Sequence, residues 1–369
     1  MKQAGQTICL CMIVKNESQV ISRCLRSVLP LLDAWVVVDT GSTDGTQQRV
    51  TNELGHLPGE LLERPWIDFA QNRSESIALA SSWADYLLII DADEFLEFAS
   101  DFQLPQLSAD AYDLELLSGA VTYYKTQLVR CALRWRYEGV VHEHIVTDAQ
   151  PTRERLPGIR TIRILDGARA RDPLTFRKDA LLLEGALLQD PQNARHMFYL
   201  AQSYADAGEL ELAIDRYRKR VTMGGWHEEV WSALYQIARL REMQELDWPI
   251  VLSAYLDAFS YRPDRAEPLF RIGIHYQGRQ EYAAAYLFLA QAVQIPFPAT
   301  DILFVERDVY HFYLPLEFSV ACFYVGRHAE AVDVANQLLA GGSLTEERQQ
   351  QVTRNRQFSL DVLATATQQ

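Results

Sequence analysis

The sequence predicts an α/β domain with a mostly parallel sheet and an antiparallel edge over residues 1–172, followed by an all-helical domain over residues 173–369. Two observations predict this division. In the first part, short continuous apolar runs alternate with segments of helical periodicity, which is the pattern of βαβ units. From about Phe176 onward the periodicity is helical throughout, and small and aromatic residues recur at a fixed spacing.

Three apolar runs in the first part are expected to be strands that are buried on both faces of the sheet. They are Thr7–Val14, Trp35–Val38 and Tyr86–Ile90. Beyond Asp113 the pattern changes to that of antiparallel strands. The candidates there are Asp113–Leu117, Val121–Val129, Tyr137–Ile145 and Ile159–Ile164. An antiparallel edge on a parallel sheet is common, so one sheet can hold both groups.

The helical part contains an internal repeat with tetratricopeptide spacing, a helix–turn–helix unit of about 34 residues. The first copy places Leu200, Ala201 and Tyr204 on one helix, Gly208 in the turn, and Ala213 and Tyr217 on the next. A second clear copy starts at Ile272, and weaker copies start at Leu234 and Ala321. The alternative is an irregular helical bundle, which the recurring small–aromatic phase makes less favoured.

Composition and charge exclude several classes of protein. The net charge is −14, with 17 basic and 24 acidic side chains in residues 1–172 and 18 and 25 in the remainder. An evenly acidic chain lacks the basic surface that nucleic acids and anionic membranes require. The five cysteines are scattered and predict no disulfide framework. No signal peptide or membrane span is expected, so a cytoplasmic location is the default prediction.

Polar side chains directly follow the three buried strands. Asn16 and Glu17 follow the first strand, Asp39 ends the second, and Asp91 and Asp93 follow the third. Because parallel strands end at the same edge of a sheet, we expect these residues to converge where α/β folds bind ligands. Two carboxylates one residue apart suit Mg²⁺ or Mn²⁺, with substrate phosphates completing the coordination shell. The alternative for Asp91 and Asp93 is a solvated acidic turn.

A second polar segment runs from Gly139 to His144 and contains His142, Glu143 and His144. A neutral imidazole can bind a divalent metal, and a nearby carboxylate can act as a general base. An alternating strand with polar residues facing water is an equally good interpretation of these residues alone. Asn72–Arg73 could contact a diphosphate or a sugar, although a surface salt bridge would explain the arginine as well.

Together these segments resemble family-2 glycosyltransferases of the GT-A fold. The resemblance spans roughly residues 7–147. It is carried by the segments Cys11–Glu17, Val37–Thr46, Trp66–Arg73, Leu88–Glu94 and Tyr137–Glu143. The repeats resemble those of a bacterial subgroup that combines this domain with tetratricopeptide repeats. Bacterial peptide S-glycosyltransferases share that architecture, and lipopolysaccharide-core glycosyltransferases share the segments around Asp91 and Glu143.

The resemblance implies a role for each candidate residue. Asp39 would bind the nucleotide base, Asp91 would lie near the ribose and the metal, and Asp93 would bind the metal. The residues implied in nucleotide-sugar binding are Val14, Asn16, Glu17, Asp39, Gly41, Ser42, Asp44, Asn72, Arg73, Asp91 and Ala92. The implied metal ligands are Asp91, Asp93, His142 and His144. Glu143 would be the catalytic base, with Glu94 as its rival.

The implied activity is inverting transfer of a sugar from a nucleotide-sugar donor, with a UDP-sugar favoured over a GDP-sugar and Mn²⁺ or Mg²⁺ as cofactor. A peptide, a protein or a glycan would be the acceptor, and the repeats could also form a homodimer. One alternative is a repeat scaffold with an inactive transferase domain. Another is a lipopolysaccharide or polysaccharide glycosyltransferase. Related enzymes often carry a further histidine where this chain has Ile162–Asp166.

Overall fold

A computed structural model describes residues 5–119, 121–342 and 344–366. The chain divides into two compact units between Ala213 and Ile214. The first unit therefore holds the sheet and also the first helices after it. The expected domain boundary after residue 172 falls between the last strand and these helices, and it stays a prediction.

The first unit is built from ten strands and five complete helices within the described residues. The strands are β1 (Ile8–Val14), β2 (Ala34–Asp39), β3 (Gly59–Glu63), β4 (Tyr86–Ile89), β5 (Glu94–Phe98), β6 (Ala111–Ser118), β7 (Val121–Arg130), β8 (Trp135–Glu138), β9 (His144–Thr147) and β10 (Arg153–Arg163). The helices are α1 (Ile21–Val28), α2 (Thr46–Leu54), α3 (Phe69–Ala80), α4 (Thr175–Gln189) and α5 (Ala194–Asp206), and α6 (Leu210–Met223) follows.

Eight strands form one sheet in the order β3-β2-β1-β4-β7-β6-β10-β5. The first four are parallel, and β7 joins β4 antiparallel, which confirms the predicted parallel sheet with an antiparallel side. β10 lies parallel to β6, and β5 closes the edge antiparallel to β10. Because β1 lies between β2 and β4, the ends of these three strands meet at one edge.

The segment 137–145 is not one strand, contrary to the expectation for Tyr137–Ile145. β8 and β9 form a separate two-stranded hairpin, and residues 139–143 are the turn between them. Gly139 and His142 have φ angles of 110° and 51° in that turn. These left-handed conformations interrupt a strand and reverse the chain. Glu143 therefore lies on a turn.

The central strands are buried on both faces, as their continuous apolar sequence predicts. Ile8, Leu10 and Met12 of β1 belong to one hydrophobic cluster, together with α1 and α2. Cys9 and Cys11 belong to a second cluster on the opposite face, together with α3. All five side chains are at most 2% exposed. The rigid centre of the sheet thus fixes the strand ends that carry the candidate site.

The second unit consists of helices that pack as antiparallel hairpins. They are α7 (His227–Met243), α8 (Trp248–Tyr261), α9 (Glu267–Gly278), α10 (Tyr282–Ala292), α11 (Leu314–Tyr324), α12 (His328–Ala340) and α13 (Glu346–Ala366). The small and aromatic residues that predicted the repeats lie in its core, including Tyr235, Ile272, Ala285 and Ala321. Within the described parts of the chain, the structure contains no helix long and apolar enough to cross a membrane.

Gly273 in α9 is a close-contact position of the repeat at which a side chain cannot fit. A Cβ atom there would lie 2.5 Å from Cγ of Leu289 in α10. We expect Gly273→Val to lower the free energy of unfolding by about 1–3 kcal/mol through overpacking. Gly185→Val in α4 is the matched control, because a Cβ atom there meets nothing within 4 Å. Urea unfolding measures both variants, and equal stabilities would contradict this account of helix packing.

Candidate active site

The loops after β1 and β2 are joined by hydrogen bonds that shape one side of the site. The carbonyl of Val14 accepts hydrogen bonds from both the backbone N–H and the hydroxyl of Thr40. The N–H of Asn16 donates to Oγ of Ser42 at 2.8 Å, and its side-chain oxygen accepts from the N–H of Thr43 at 2.8 Å. Asn16 has a φ of 58°, a conformation that asparagine tolerates better than most residues. Both loops are therefore held in one fixed arrangement.

Asp39 at the end of β2 is fully buried, and one of its carboxylate oxygens has an unusual environment. Oδ1 accepts hydrogen bonds from the N–H groups of Gly41 and Ser42, both at 2.7 Å. Oδ2 is buried and accepts no hydrogen bond from the described part of the protein. A cleft of about 380 Å³ adjoins this carboxylate. Its lining residues are Asp39, Gly41, Ser42, Gln47, Glu63, Arg64 and Pro65.

Asp44, another predicted contact of the nucleotide-sugar, has its carboxylate engaged by the protein. Oδ1 accepts from the hydroxyl of Thr46 at 2.6 Å, and Oδ2 accepts from the N–H of Ser18 at 3.0 Å. Partial burial alone would raise the pKa of Asp44, but the hydrogen bonds from Thr46 and Ser18 lower it to about 2. Asp44 thus fastens the start of α2 to the loop after β1, and its contact with a ligand stays a prediction.

Asp91 follows β4 and is surrounded by positive charge. Its Oδ1 lies 2.5 Å from Nη2 of Arg73. Its Oδ2 lies 2.8 Å from Nζ of Lys125 and 3.6 Å from Nη2 of Arg163. Burial alone would raise the pKa of Asp91, but these three cations hold it well below its usual range. Asp91 is therefore a carboxylate whose oxygens are already paired, and Ala92 beside it is buried.

Glu94, the rival candidate for the base, is fully buried and serves as an anchor. Its carboxylate accepts from Nζ of Lys125 at 3.0 Å, from Nε2 of Gln127 at 3.1 Å and from the N–H of Asp91 at 3.2 Å. Lys125, Gln127 and Arg163 were not predicted from the sequence as residues of this site. The alternation of polar residues at 123, 125 and 127 along β7 is the signal that could have revealed a polar face there.

Asp93 is the carboxylate at this edge that remains least engaged. Its Oδ2 lies 3.8 Å from Nε of Arg163, which is too long for a hydrogen bond. Burial, opposed by Arg163 and reinforced by Asp91 and Glu94, raises the pKa of Asp93 to about 6. Gly167 packs closely here, since a Cβ atom there would lie 3.2 Å from Cβ of Asp93.

Glu17 borders Asp93 from the loop after β1. Its carboxylate accepts from the backbone N–H of Ala168 at 3.1 Å. A Cβ atom on Gly167 would lie 3.4 Å from its Oε2. Burial, and to a smaller extent Asp93, raise the pKa of Glu17 to about 7 against the opposing hydrogen bond from Ala168. Glu17 therefore ties the segment after β10 to the strand edge beside Asp93.

Arg73 connects the residue after β4, Asp91, to the hairpin turn that carries Glu143. This residue of α3 donates from Nη2 to Asp91 at 2.5 Å and from Nε to Oε1 of Glu143 at 2.6 Å. Asp91 and Glu143 are therefore joined by a guanidinium that contacts both. Asn72 beside it is fully buried and holds the preceding loop, since its amide bonds the N–H of Ile67 and the carbonyl of Pro65. A ligand contact by Asn72 stays a prediction.

The two histidines lie in different settings. The ring of His142 stacks on the ring of Tyr199 in α5. Desolvation by neighbouring groups, and then the positive charges of Arg169 and Arg195, lower the pKa of His142. His144 begins β9 and pairs with Glu138 across the hairpin. Nothing in the described contacts brings His144 to Asp91 or Asp93, so its metal role stays a prediction.

The carboxylates fit a divalent cation only with help from a ligand. Across residues 5–119, 121–342 and 344–366, no three His, Cys, Asp or Glu side chains converge as a ready-made metal site. The carboxylate of Asp91 is paired with the side chains of Arg73, Lys125 and Arg163, whereas the carboxylate of Asp93 remains available to bind a metal ion. Mg²⁺ and Mn²⁺ are often held by one or two carboxylates plus substrate phosphates, so the donor set present here fits such a metal bound together with a diphosphate.

Lys125 is expected to be essential for the stability of the site. We predict that Lys125→Met lowers the free energy of unfolding by about 3 kcal/mol, because buried Glu94 and Asp91 lose their shared ammonium partner. Arg160→Met is the control, since it removes an exposed pair with Glu97 and should cost about 1 kcal/mol or less. Urea denaturation monitored by circular dichroism compares the two, and equal losses would refute the pairing argument.

Comparison with known proteins agrees with this architecture. Residues 9–167 match the model of glycosyl transferase family 2. A TPR repeat-containing protein of Synechococcus elongatus is 29% identical over 309 residues, which cover 78% of this chain and 75% of that one. An uncharacterized glycosyltransferase of Rickettsia felis is 31% identical over 112 residues, which are 28% of this chain and 38% of that one.

Among solved structures the likeness is more distant. MamA aligns with 51% of this chain and 92% of its own at 16% identity and a TM-score of 0.34. YrrB, described as a TPR protein with an unusual peptide-binding site, aligns at 12% identity and a TM-score of 0.32, over 51% of this chain and 84% of its own. Similarity at that level says nothing about binding. The part of the chain that carries the described site is therefore similar to glycosyl transferase family 2, and packed helices follow it.

Proposed function

We propose that the protein is an active, inverting and metal-dependent glycosyltransferase that uses a nucleotide-sugar donor, with a UDP-sugar favoured. The observation that carries the proposal is the buried, unpartnered Oδ2 of Asp39 beside a cleft of about 380 Å³. A buried carboxylate oxygen without a donor is costly, so a ligand N–H that reaches it gains a strong hydrogen bond.

The chemistry of Asp39 restricts the base of the donor. An ionised carboxylate only accepts hydrogen bonds, so the base must present an N–H at its recognition edge. Uracil offers the ring N–H at its N3 position and guanine offers the one at N1, whereas cytosine and adenine can donate only from an exocyclic amino group. A uridine nucleotide is the smaller of the two fitting ligands, which is why we favour UDP over GDP.

The diphosphate would lie at the next strand ends. Asp93 would hold the divalent cation, which would supply positive charge against the departing diphosphate. Nε of Arg163 is buried and donates no hydrogen bond to the residues described, so it could donate to a phosphate oxygen. Asp91, neutralised by its cations, would accept from the ribose hydroxyls. Binding of the donor therefore uses one continuous edge of the sheet.

Glu143 is the better candidate for the catalytic base. Its Oε1 accepts a hydrogen bond from Nε of Arg73, whose Nη2 donates to Asp91. Glu94, by contrast, is fully buried beneath Lys125 and Gln127. Glu143 would remove a proton from the acceptor while the acceptor's oxygen or sulfur atom forms a bond to the anomeric carbon of the sugar. The bond to the diphosphate breaks on the opposite face, which inverts the anomeric centre.

The acceptor is proposed to be a peptide or protein, with the helical repeats available to bind it or to form a homodimer. A glycan acceptor, as in lipopolysaccharide synthesis, is the alternative. A scaffold with an inactive domain is disfavoured because Asp39, Asp91, Asp93 and Glu143 are all present and are placed by specific hydrogen bonds or packing. The released-nucleotide assay, run with a panel of UDP- and GDP-sugars and Mn²⁺, tests the donor directly.

Removal of Asp93 should abolish metal-dependent donor binding. We expect UDP to bind the wild-type protein more tightly with Mn²⁺ than without it, and Asp93→Ala to lose that difference while its melting temperature is retained. Isothermal titration measures both. Asp101→Ala, which removes an exposed carboxylate from the connection between β5 and β6, is the control and should keep the Mn²⁺ effect. If Asp93→Ala retains that effect, Asp93 is not the metal ligand.

Removal of the base should separate binding from turnover. We expect Glu143→Gln to bind UDP and Mn²⁺ normally but to release UDP from the matching sugar donor about 10²–10⁴-fold more slowly, because a general base contributes roughly that factor. Glu138→Gln in the same hairpin has a half-exposed side chain paired with Arg136 and serves as the control. If Glu143→Gln keeps the wild-type turnover, Glu143 is not the catalytic base.

A further inference from the structure

The turn that carries Glu143 is held from outside the family-2 domain. Residues 139–143 join two strands of only four residues each, so the hairpin itself offers little support. His142 has a φ of 51°, a conformation that a residue with a Cβ atom rarely adopts. Such a conformation persists when surrounding contacts impose it. The chain must therefore supply contacts that keep this turn in place.

Those contacts come from α5, the second helix after the sheet. The ring of His142 stacks on the ring of Tyr199 with centroids 4.1 Å apart and an angle of 7° between the planes. Nη2 of Arg195 donates a hydrogen bond of 3.1 Å to the carbonyl of His142. The Arg195 guanidinium also lies over the Tyr199 ring, 4.8 Å from its centroid. Both the side chain and the backbone of His142 are thus fixed by one helix face.

The supporting residues are themselves fixed. Arg195 and Tyr199 are four residues apart and lie on the same side of α5. Tyr199 is 8% exposed and packs edge-on against Phe198 at 5.3 Å. The side chain of Asn193 caps the helix by accepting from the N–H of His196 at 2.9 Å. The ring of Tyr199 therefore provides a rigid platform for the turn.

We propose that Tyr199 and Arg195 are positioning residues for sugar transfer. They hold His142 in its left-handed conformation and thereby aim the adjacent Glu143 at the acceptor. The proposal rests on the proposed role of Glu143 as base. It makes α5, which lies beyond the residues matched by the family model, part of the catalytic unit. Donor binding needs no such support, because the loops carrying Asp39 and Asp93 make none of these contacts.

The kinetic test uses the full chain and its best sugar donor. We expect Tyr199→Ala to lower the turnover number by about tenfold to a hundredfold, because small displacements of a catalytic group cost that much. Its affinity for UDP should be unchanged. Tyr199→Phe keeps the aromatic platform and should restore turnover. Tyr204→Ala, which truncates another buried aromatic residue of α5, is the matched control for general loosening of the helix. Equal losses in Tyr199→Ala and Tyr204→Ala would overturn the proposal.

Two further measurements separate this proposal from the proposed base. In a Glu143→Gln background, Tyr199→Ala should cause no additional loss if Tyr199 acts through Glu143. A full additional loss would overturn the positioning role. Carbon–proton NMR of the histidines should show a ring-current shift for His142 that disappears in Tyr199→Ala and persists in Tyr199→Phe. Absence of that shift would refute the stack. Full activity of Glu143→Gln, with the shift present, would instead refute the base assignment and, with it, the positioning role.

Discussion

Charge neutralisation among buried groups is the constraint on which the site depends. Asp91 and Glu94 lie at the centre of the sheet edge, where an unpaired carboxylate would cost several kcal/mol. Lys125 pairs with both, and Arg73 and Arg163 complete the set around them. Burial alone would lower the pKa of Lys125, but Asp91 and Glu94 raise it above its usual range, so the ammonium stays charged. Each charged group of the cluster is therefore compensated by its neighbours in the cluster.

The cluster also joins elements that are distant in the chain. Its members come from the turn after β4, from α3, from β5, from β7 and from β10, so the charge pairing depends on the order of these strands. Behind it, Gln127 of β7 accepts a hydrogen bond from the hydroxyl of Thr161 in β10, and both are fully buried. The mixed side of the sheet therefore supplies positive charge to the carboxylates, with Lys125 from β7 and Arg163 from β10. A shift of one residue in the register of β7 would turn Lys125 away from Asp91 and Glu94 and remove the ammonium that they share.

The sequence predicted the parallel strands well because the signals there are local. Each apolar run ends in its own polar residue, so Asp39, Asp91 and Asp93 lie at or just after the ends of β2 and β4, the two neighbours of β1, while their roles stay predictions. Lys125 was missed because its partners Asp91 and Glu94 lie 34 and 31 residues away, beyond any local pattern. The hairpin turn was missed because the sequence of residues 139–144 is compatible with a strand, and the positive φ of His142 has no unambiguous local signal.

The two halves of the site are consequently built by different physical means. The proposed donor side consists of short loops closed by hydrogen bonds to their own backbone N–H groups, such as the one from Gly41 to Asp39. The proposed acceptor side consists of a hairpin of two short strands, which Arg73 contacts through Glu143 and α5 contacts through His142. Its geometry depends on helices that follow the sheet. The proposed acceptor side therefore depends on contacts from beyond residues 9–167, among them the stack of His142 on Tyr199.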